Sequence, residues 1–392
     1  MSLPLIALFL AAFAFGTAEF VIAGVLPEVA TGLGVTIPIA GYLVTGYAIG
    51  IAIGGPIVAV ATKKISRKAL ILGLGVVFTL GQVLCALAPS FEWLMVARVI
   101  VAVAHGTYFG IAAVVAFNLV PLDKRGFAVA LILSGLTVSN ILGVPGGTAI
   151  GNALGWRATF WAVGALGLVA TVIIAFALPR TAGAETTSSS FLREFKALGR
   201  QQILTSLFIV MLVMIGQYSL FTYIAPLLRE VSGLEVNTVP WVLLLYGVGA
   251  TIGVFIGGRL ADWRLMPSLI VILFLQAVAY TGLYLVAPNP IAMALMVTLW
   301  GGINFAFGSP VQSRILAWAA DAPNLASSLI PTGFNIGIAI GAVLGASVLE
   351  NGLGYRVLPL IGTATVLLAA LIALASHWLE QRSNLQGPLY AE

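Results

Sequence analysis

Twelve runs of about twenty apolar residues follow one another along this chain, and that length is what an α-helix needs to cross the hydrocarbon core of a bilayer. They lie near 4–26, 38–61, 69–88, 92–116, 126–151 and 157–178, then near 203–226, 239–261, 267–287, 290–314, 325–349 and 356–378. The fold class expected is therefore an all-α polytopic membrane protein with twelve transmembrane helices. Composition agrees. Of the 392 residues, 60% are hydrophobic and 8% charged, against about 25% charged in a soluble domain, so this surface does not face water. The mean hydropathy of +1.10 and the 44 glycines suit helices packed closely in lipid.

The net charge of +5 is not a nucleic-acid footprint, because the basic residues sit in short loops between apolar runs. With both termini cytoplasmic, fourteen of the eighteen lysines and arginines fall on the cytoplasmic side, Arg314 and Arg382 among them. Three fall outside (Arg157, Arg229 and Arg356), and Arg98 lies within a span. That asymmetry is the positive-inside signal. The N-terminal run has no basic leader and contains Glu19, so it reads as the first spanning helix rather than a signal peptide. The single cysteine, Cys85, lies in an apolar run and reads as a small buried hydrophobe.

The chain repeats itself. Leu154-Gly155-Trp156-Arg157 returns as Leu353-Gly354-Tyr355-Arg356, and Pro27 and Pro89 return as Pro226 and Pro288, all at an offset of 199 residues. Two parallel six-helix halves follow, residues 1–178 and 203–392, joined by a cytoplasmic linker over 179–202. Such halves form a known transporter plan, with the solute site near the bilayer midplane. The stretch Phe191–Arg200 spaces its apolar residues as a short helix lying on the membrane face would, or it is a plain tether.

Several motifs then fall in register. Lys63-Lys64-Ile65-Ser66-Arg67-Lys68 resembles the basic end of the signature loop of the major facilitator superfamily, with Lys63 where an acidic residue is usual. Gly257-Gly258-Arg259-Leu260-Ala261-Asp262 resembles that loop's beginning. Arg98 matches the arginine of the antiporter signature, with Val101-Ala102 in place of Gln-Gly. Gly143-Val144-Pro145-Gly146-Gly147 is similar to the glycine-proline antiporter motif in altered order. Gly16-Thr17-Ala18-Glu19-Phe20, Pro27-Glu28 and Ala104-His105-Gly106 look like the drug:proton antiporter group, and most like bacterial arabinose- and drug-efflux permeases. The resemblance implies export of a small organic solute, drug or sugar-like, in exchange for protons by alternating access. It also implies gating roles for Lys63, Arg67, Lys68, Asp262 and Pro145, and a monomer in the inner (plasma) membrane. Uptake by symport or facilitated diffusion of a sugar or nucleoside is the alternative.

Among thirteen acidic residues only Glu19 lies well inside a predicted span. An ionisable group in hydrocarbon is costly and marks function by default. Withdrawal from water disfavours a carboxylate's charged form, which suits reversible protonation. A structural carboxylate paired with an arginine is the other reading. Arg98 carries a permanent charge, so it tunes a nearby carboxylate, binds helix-end carbonyls or is purely structural. His105 follows it by two helical turns on the same face, as a candidate proton carrier or solute partner or as a satisfied polar group. Glu19 and Arg98 lie about 10 and about 9 Å inside the external face at 1.5 Å per residue. In the resembling family both helices line the central cavity, so the two side chains are expected to approach.

At the repeat offset Glu19 corresponds to Tyr218, Arg98 to Val297 and His105 to Asn304. Proton handling is thus expected in the first half. Solute contact is expected in the second, through Gln217, Tyr218, Tyr223, Asn304 and Phe305, or else these are ordinary packing residues. No Gly-x-x-x-x-Gly-Lys-Ser/Thr loop is present, which argues against ATP-driven pumping. Two histidines, one cysteine and one deep carboxylate supply neither a metal site nor an enzyme's catalytic cluster. No cofactor is expected, and the partners are protons, a small solute and lipid.

Overall fold

The computed structural model of the protein describes residues 2–62, 64–121, 124–179, 200–319 and 323–382. Lys63, nearly all of the 179–202 linker with its amphipathic stretch, and the tail beyond 382 lie outside the described residues. Among the described residues eleven helical runs are long and apolar enough to cross a bilayer, one of them the 51-residue run Val236–Val286. That run is two helices meeting at Arg264, whose φ of −151° and ψ of 89° are not helical. Pro267 accounts for the break, because it lacks the N–H that would bond the carbonyl of Trp263 and its ring crowds that carbonyl. The twelve spans are α1 Leu3–Ala23, α2 Ile37–Ala61, α3 Arg67–Ala86, α4 Phe91–Asn118, α5 Arg125–Leu154 and α6 Trp156–Ala177. Then come α7 Gln201–Phe221, α8 (239–263), α9 (265–286), α10 Pro290–Trp318, α11 Pro323–Glu350 and α12 Tyr355–Arg382.

Polar residues mark the helix starts. The side chains of Thr36, Ser66, Ser90 and Asn289 each accept from the backbone N–H three residues on, at 3.0–3.4 Å, satisfying a donor that has no intrahelical partner. Inside α2 and α5 the turn widens to a π-helical segment, Gly50–Gly54 and Ser139–Gly143. A proline follows each, Pro56 and Pro145, and the carbonyl its ring displaces four residues back, Ala52 or Ile141, lies within the widened segment.

The repeated Leu-Gly-aromatic-Arg motif repeats its geometry. Gly155 (φ 87°, ψ 150°) and Gly354 (φ 73°, ψ 163°) adopt a backbone that L side chains rarely take. Arg157 then donates to Ala88 O just past the end of α3 at 2.9 Å, and Arg356 to Tyr284 O near the end of α9 at 3.2 Å. Each guanidinium also stacks on a ring, Trp156 or Tyr284.

The chain forms two compact units. The first comprises Met1–Thr186 with Ile224–Arg229 and Leu234–Leu244, and the second comprises Thr187–Tyr223, Glu230–Gly233 and Leu245–Glu392. The core of the first gathers Leu8, Phe15, Phe78, Tyr108, Ile111 and Val115. In it Gly46, Gly50, Gly54 and Gly55 of α2 face Met95, Ala102, Val103 and Gly106 of α4. In the second unit a Cβ on Gly249, Gly253 or Gly257 of α8 would stand 2.0–2.2 Å from the carbonyl oxygens of Thr298, Gly302 and Ala306 on α10. Gly337, Gly341 and Gly345 of α11 approach the carbonyls of Met211, Ile215 and Ser219 on α7 in the same way, while Gly333 faces Leu207.

Arg314, counted above as a cytoplasmic loop cation, is wholly buried on α10 and pairs with Glu380 of α12, with Ser376 Oγ 2.6 Å away. Both helices run on about a turn past their expected ends, to Trp318 and Arg382, and carry these charges into the helix pack. Burial of either charge alone would be strongly unfavourable, and pairing with hydrogen bonds is what makes it tolerable.

Candidate functional site

Glu19 sits in the last α-helical turn of α1, which tightens to a 3₁₀ turn over Val21–Ala23 and ends before the short helix Leu26–Leu33. Pro27 is admitted there at the start of a new helix, where its missing N–H costs nothing. Arg98 and His105 project from α4 two turns apart, and Tyr47 lies on α2 just before the π-helical segment.

These four side chains form one chain of contacts. Glu19 Oε2 is 3.7 Å from His105 Nε2. On the other side of the ring, His105 Nδ1 is 3.0 Å from the hydroxyl of Tyr47. The guanidinium of Arg98 lies 4.6 Å over the Tyr47 ring. Phe15 and Phe109, with ring centroids 5.5 and 5.1 Å from that of His105, wall the imidazole. Tyr47, Arg98 and His105 are buried, whereas the Glu19 side chain keeps 12% of its surface exposed.

Arg98 does not close on Glu19. Its Nε donates to Leu43 O at 3.3 Å and its Nη1 to Ala18 O at 3.2 Å, so it bridges α2 and α1 through their carbonyls. Its Nη2 is buried without a hydrogen-bond partner among the described residues. The structure thus brings Glu19 and His105 together and sets Arg98 beside the residue preceding Glu19. Chemically this is a carboxyl, 12% exposed, facing an imidazole at 3.7 Å, near a fixed cation with one unfilled donor.

In the second unit Gln217 Nε2 donates to the hydroxyl of Tyr246 at 3.1 Å. Asn304 lies beside that hydroxyl, although its amide makes no bond of good geometry among the described residues. Aromatic rings enclose the group. Phe221, Trp300 and Phe305 lie 5.1, 5.2 and 6.1 Å from the Tyr246 ring, and Tyr218 stands 5.9 Å from Phe221. Tyr223 is fully buried, and its hydroxyl donates to Ala342 O on α11 at 2.9 Å.

The signature-loop residues have separate places. Lys68 Nζ donates to Ala175 O at 2.9 Å and also to Leu178 O, capping the C-terminal end of α6, where a cation meets the negative end of the helix dipole. Arg67 opens α3 half-buried, Asp262 is exposed on α8, and Pro145 follows the π-helical segment of α5. Within the first unit Arg229, expected in an external loop, sits on the short helix Ile224–Glu230 and pairs with Glu28 at 2.7 Å.

Tyr47 and Tyr246 went unread in the sequence, because a tyrosine in an apolar helix looks like packing. The signal was present in the duplication. The two tyrosines are 199 residues apart, the same offset that relates His105 to Asn304.

Comparison with known proteins adds the family. The chain is 37% identical over 373 residues to the inner membrane transport protein YdhP of Escherichia coli (strain K12), covering 95% of each. It is 36% identical over 356 residues to the chloramphenicol resistance protein of Streptomyces lividans, covering 90% of this chain and 91% of that protein. A bacterial homolog of the human lysosomal transporter Spinster, solved inward-facing and unoccupied, shares the fold with a TM-score of 0.78 at 20% identity, over 98% of this chain and 97% of that one. Residues 8–322 match the model of the Major Facilitator Superfamily. With twelve apolar spans and relatives matched along nearly their whole length, the chain is a multi-pass membrane transporter of the major facilitator superfamily.

Proposed function

We propose that the protein exports a small organic solute across the inner membrane in exchange for protons, by alternating access of two halves, 1–178 and 203–392, linked through 179–202. It acts as a monomer with both termini cytoplasmic. The observation that carries this reading is the Glu19–His105 contact, the one place among the described residues where a carboxyl within a span meets a titratable base. Glu19 takes up and releases the transported proton. His105 stabilises its charged form, and the unfilled Nη2 of Arg98 offers the carboxylate a second partner after a side-chain rotation. Gln217, Tyr218, Asn304 and Phe305 contact the solute through neutral hydrogen bonds and ring faces, with Tyr246 and Trp300 beside them. Kinship with a chloramphenicol resistance protein favours a drug-like solute and export.

Purified protein in proteoliposomes, given labelled chloramphenicol with and without an imposed pH gradient, tests this. Accumulation driven by the gradient and abolished when it is collapsed is expected. Equal equilibration with or without the gradient would make the protein a facilitative carrier.

A further inference from the structure

We propose that Tyr47 is a positioning residue for proton coupling, its hydroxyl holding the His105 ring so that Nε2 faces Glu19. This role presupposes that Glu19 handles the proton, as proposed above. Each nitrogen of the ring faces an oxygen, Nδ1 the Tyr47 hydroxyl at 3.0 Å and Nε2 the Glu19 carboxyl at 3.7 Å. A neutral imidazole has one N–H and one lone pair. With the proton on Nδ1, the lone pair of Nε2 would be aimed at a carboxylate oxygen, acceptor against acceptor. With the proton on Nε2, the carboxylate gains a donor and Nδ1 accepts from the Tyr47 O–H. Nδ1 is then hydrogen-bonded, and the Nε2–H points at a carboxylate oxygen 3.7 Å away.

Tyr47 is itself held in place. It is buried, and its ring lies under the Arg98 guanidinium, which is anchored to Leu43 O one turn earlier on α2. Phe15 and Phe109 hold the imidazole plane from α1 and α4. The other charged or titratable groups nearby are Arg98 on α4, Cys85 on α3 and Tyr108 on α4, whose hydroxyl is donated to Leu8 O at 2.8 Å. Among the described residues none of them bonds either ring nitrogen, so the hydroxyl of Tyr47 is what anchors the ring, while the carboxylate facing Nε2 favours the proton there. The second unit repeats the arrangement in neutral form, with Tyr246 beside Asn304, the counterpart of His105. A tyrosine therefore attends this position in both units, and only in the first does it face a group that titrates.

Tyr47→Phe keeps the ring under Arg98 and removes only the hydroxyl. Without it the ring loses its one hydrogen-bonded anchor, and the charged carboxylate loses part of its N–H support. The pH optimum of gradient-driven export should rise by about half a unit, while solute counterflow, which needs no net proton movement, continues. An unchanged optimum would overturn the role. A second measurement is independent of transport. In a His377→Gln background His105 is the one remaining histidine, and ¹⁵N NMR of labelled histidine at alkaline pH should show the Nδ1 resonance displaced by Tyr47→Phe, which removes its hydrogen bond. An Nδ1 resonance unmoved by Tyr47→Phe would overturn it. If Glu19→Gln leaves coupling intact, the Glu19 assignment fails, and the Nδ1 resonance still reports on Tyr47 separately.

Discussion

A charge inside a bilayer-spanning helix must be answered by dipoles or by an opposite charge, and Arg98 is answered mainly by backbone. Its bonds to Leu43 O and Ala18 O tie three helices at the level of Glu19, so it has a structural and an electrostatic role together. Arg98→Ala removes both. It should cost about 3–6 kcal/mol of stability, the worth of two hydrogen bonds from a charged donor, and should raise the pH optimum of export, because the charged carboxylate loses a nearby cation. Arg98→Lys should retain the optimum while still lowering the melting temperature, since a lysine has no planar fork to span two carbonyls. Thermal unfolding in detergent and the pH profile of transport read the two effects apart. At this scale Glu19, Arg98 and His105 were legible, because ionisable groups stand out in apolar runs. Tyr47 was not, because its significance lies in a contact across 58 residues of sequence.

Helix existence was legible from apolar run length, and helix ends less so. The first span was read as 4–26, yet α1 stops at Ala23, and no polar residue over Gly24–Leu26 announces it. The π-helical segments in α2 and α5 followed from prolines that the sequence displays but whose effect depends on how the neighbouring helices pack. Arg314 and Glu380 were missed because both stand at the margins of apolar runs, where loop and helix end look alike. The glycines separate into those that a side chain would disrupt and those it would not. Gly253→Ala would place a Cβ 2.0 Å from Gly302 O and force α8 from α10, so a loss of about 1–3 kcal/mol is expected. Gly73 of α3 has nothing within 4 Å of its would-be Cβ, and Gly73→Ala should raise stability by about 0.5–1 kcal/mol through helix propensity. Equal effects of the two substitutions on unfolding would show that the close approach of α8 and α10 is not what these glycines provide.

Over the whole molecule, the duplication explains both likeness and division of labour. The offset of 199 residues relates Gly155 to Gly354, Arg157 to Arg356, and Tyr47 to Tyr246, so each unit reuses the same helix staples and the same tyrosine. It also relates Glu19, Arg98 and His105 to Tyr218, Val297 and Asn304, and this asymmetry is the ground on which proton coupling is proposed for the first half. The most direct test of that assignment is solute accumulation in proteoliposomes by Glu19→Gln, whose neutral amide imitates the protonated acid. The variant should bind solute and exchange it by counterflow, yet fail to concentrate it when a pH gradient is imposed. Gradient-driven accumulation by Glu19→Gln at the wild-type level, with the wild-type pH dependence, would contradict the account.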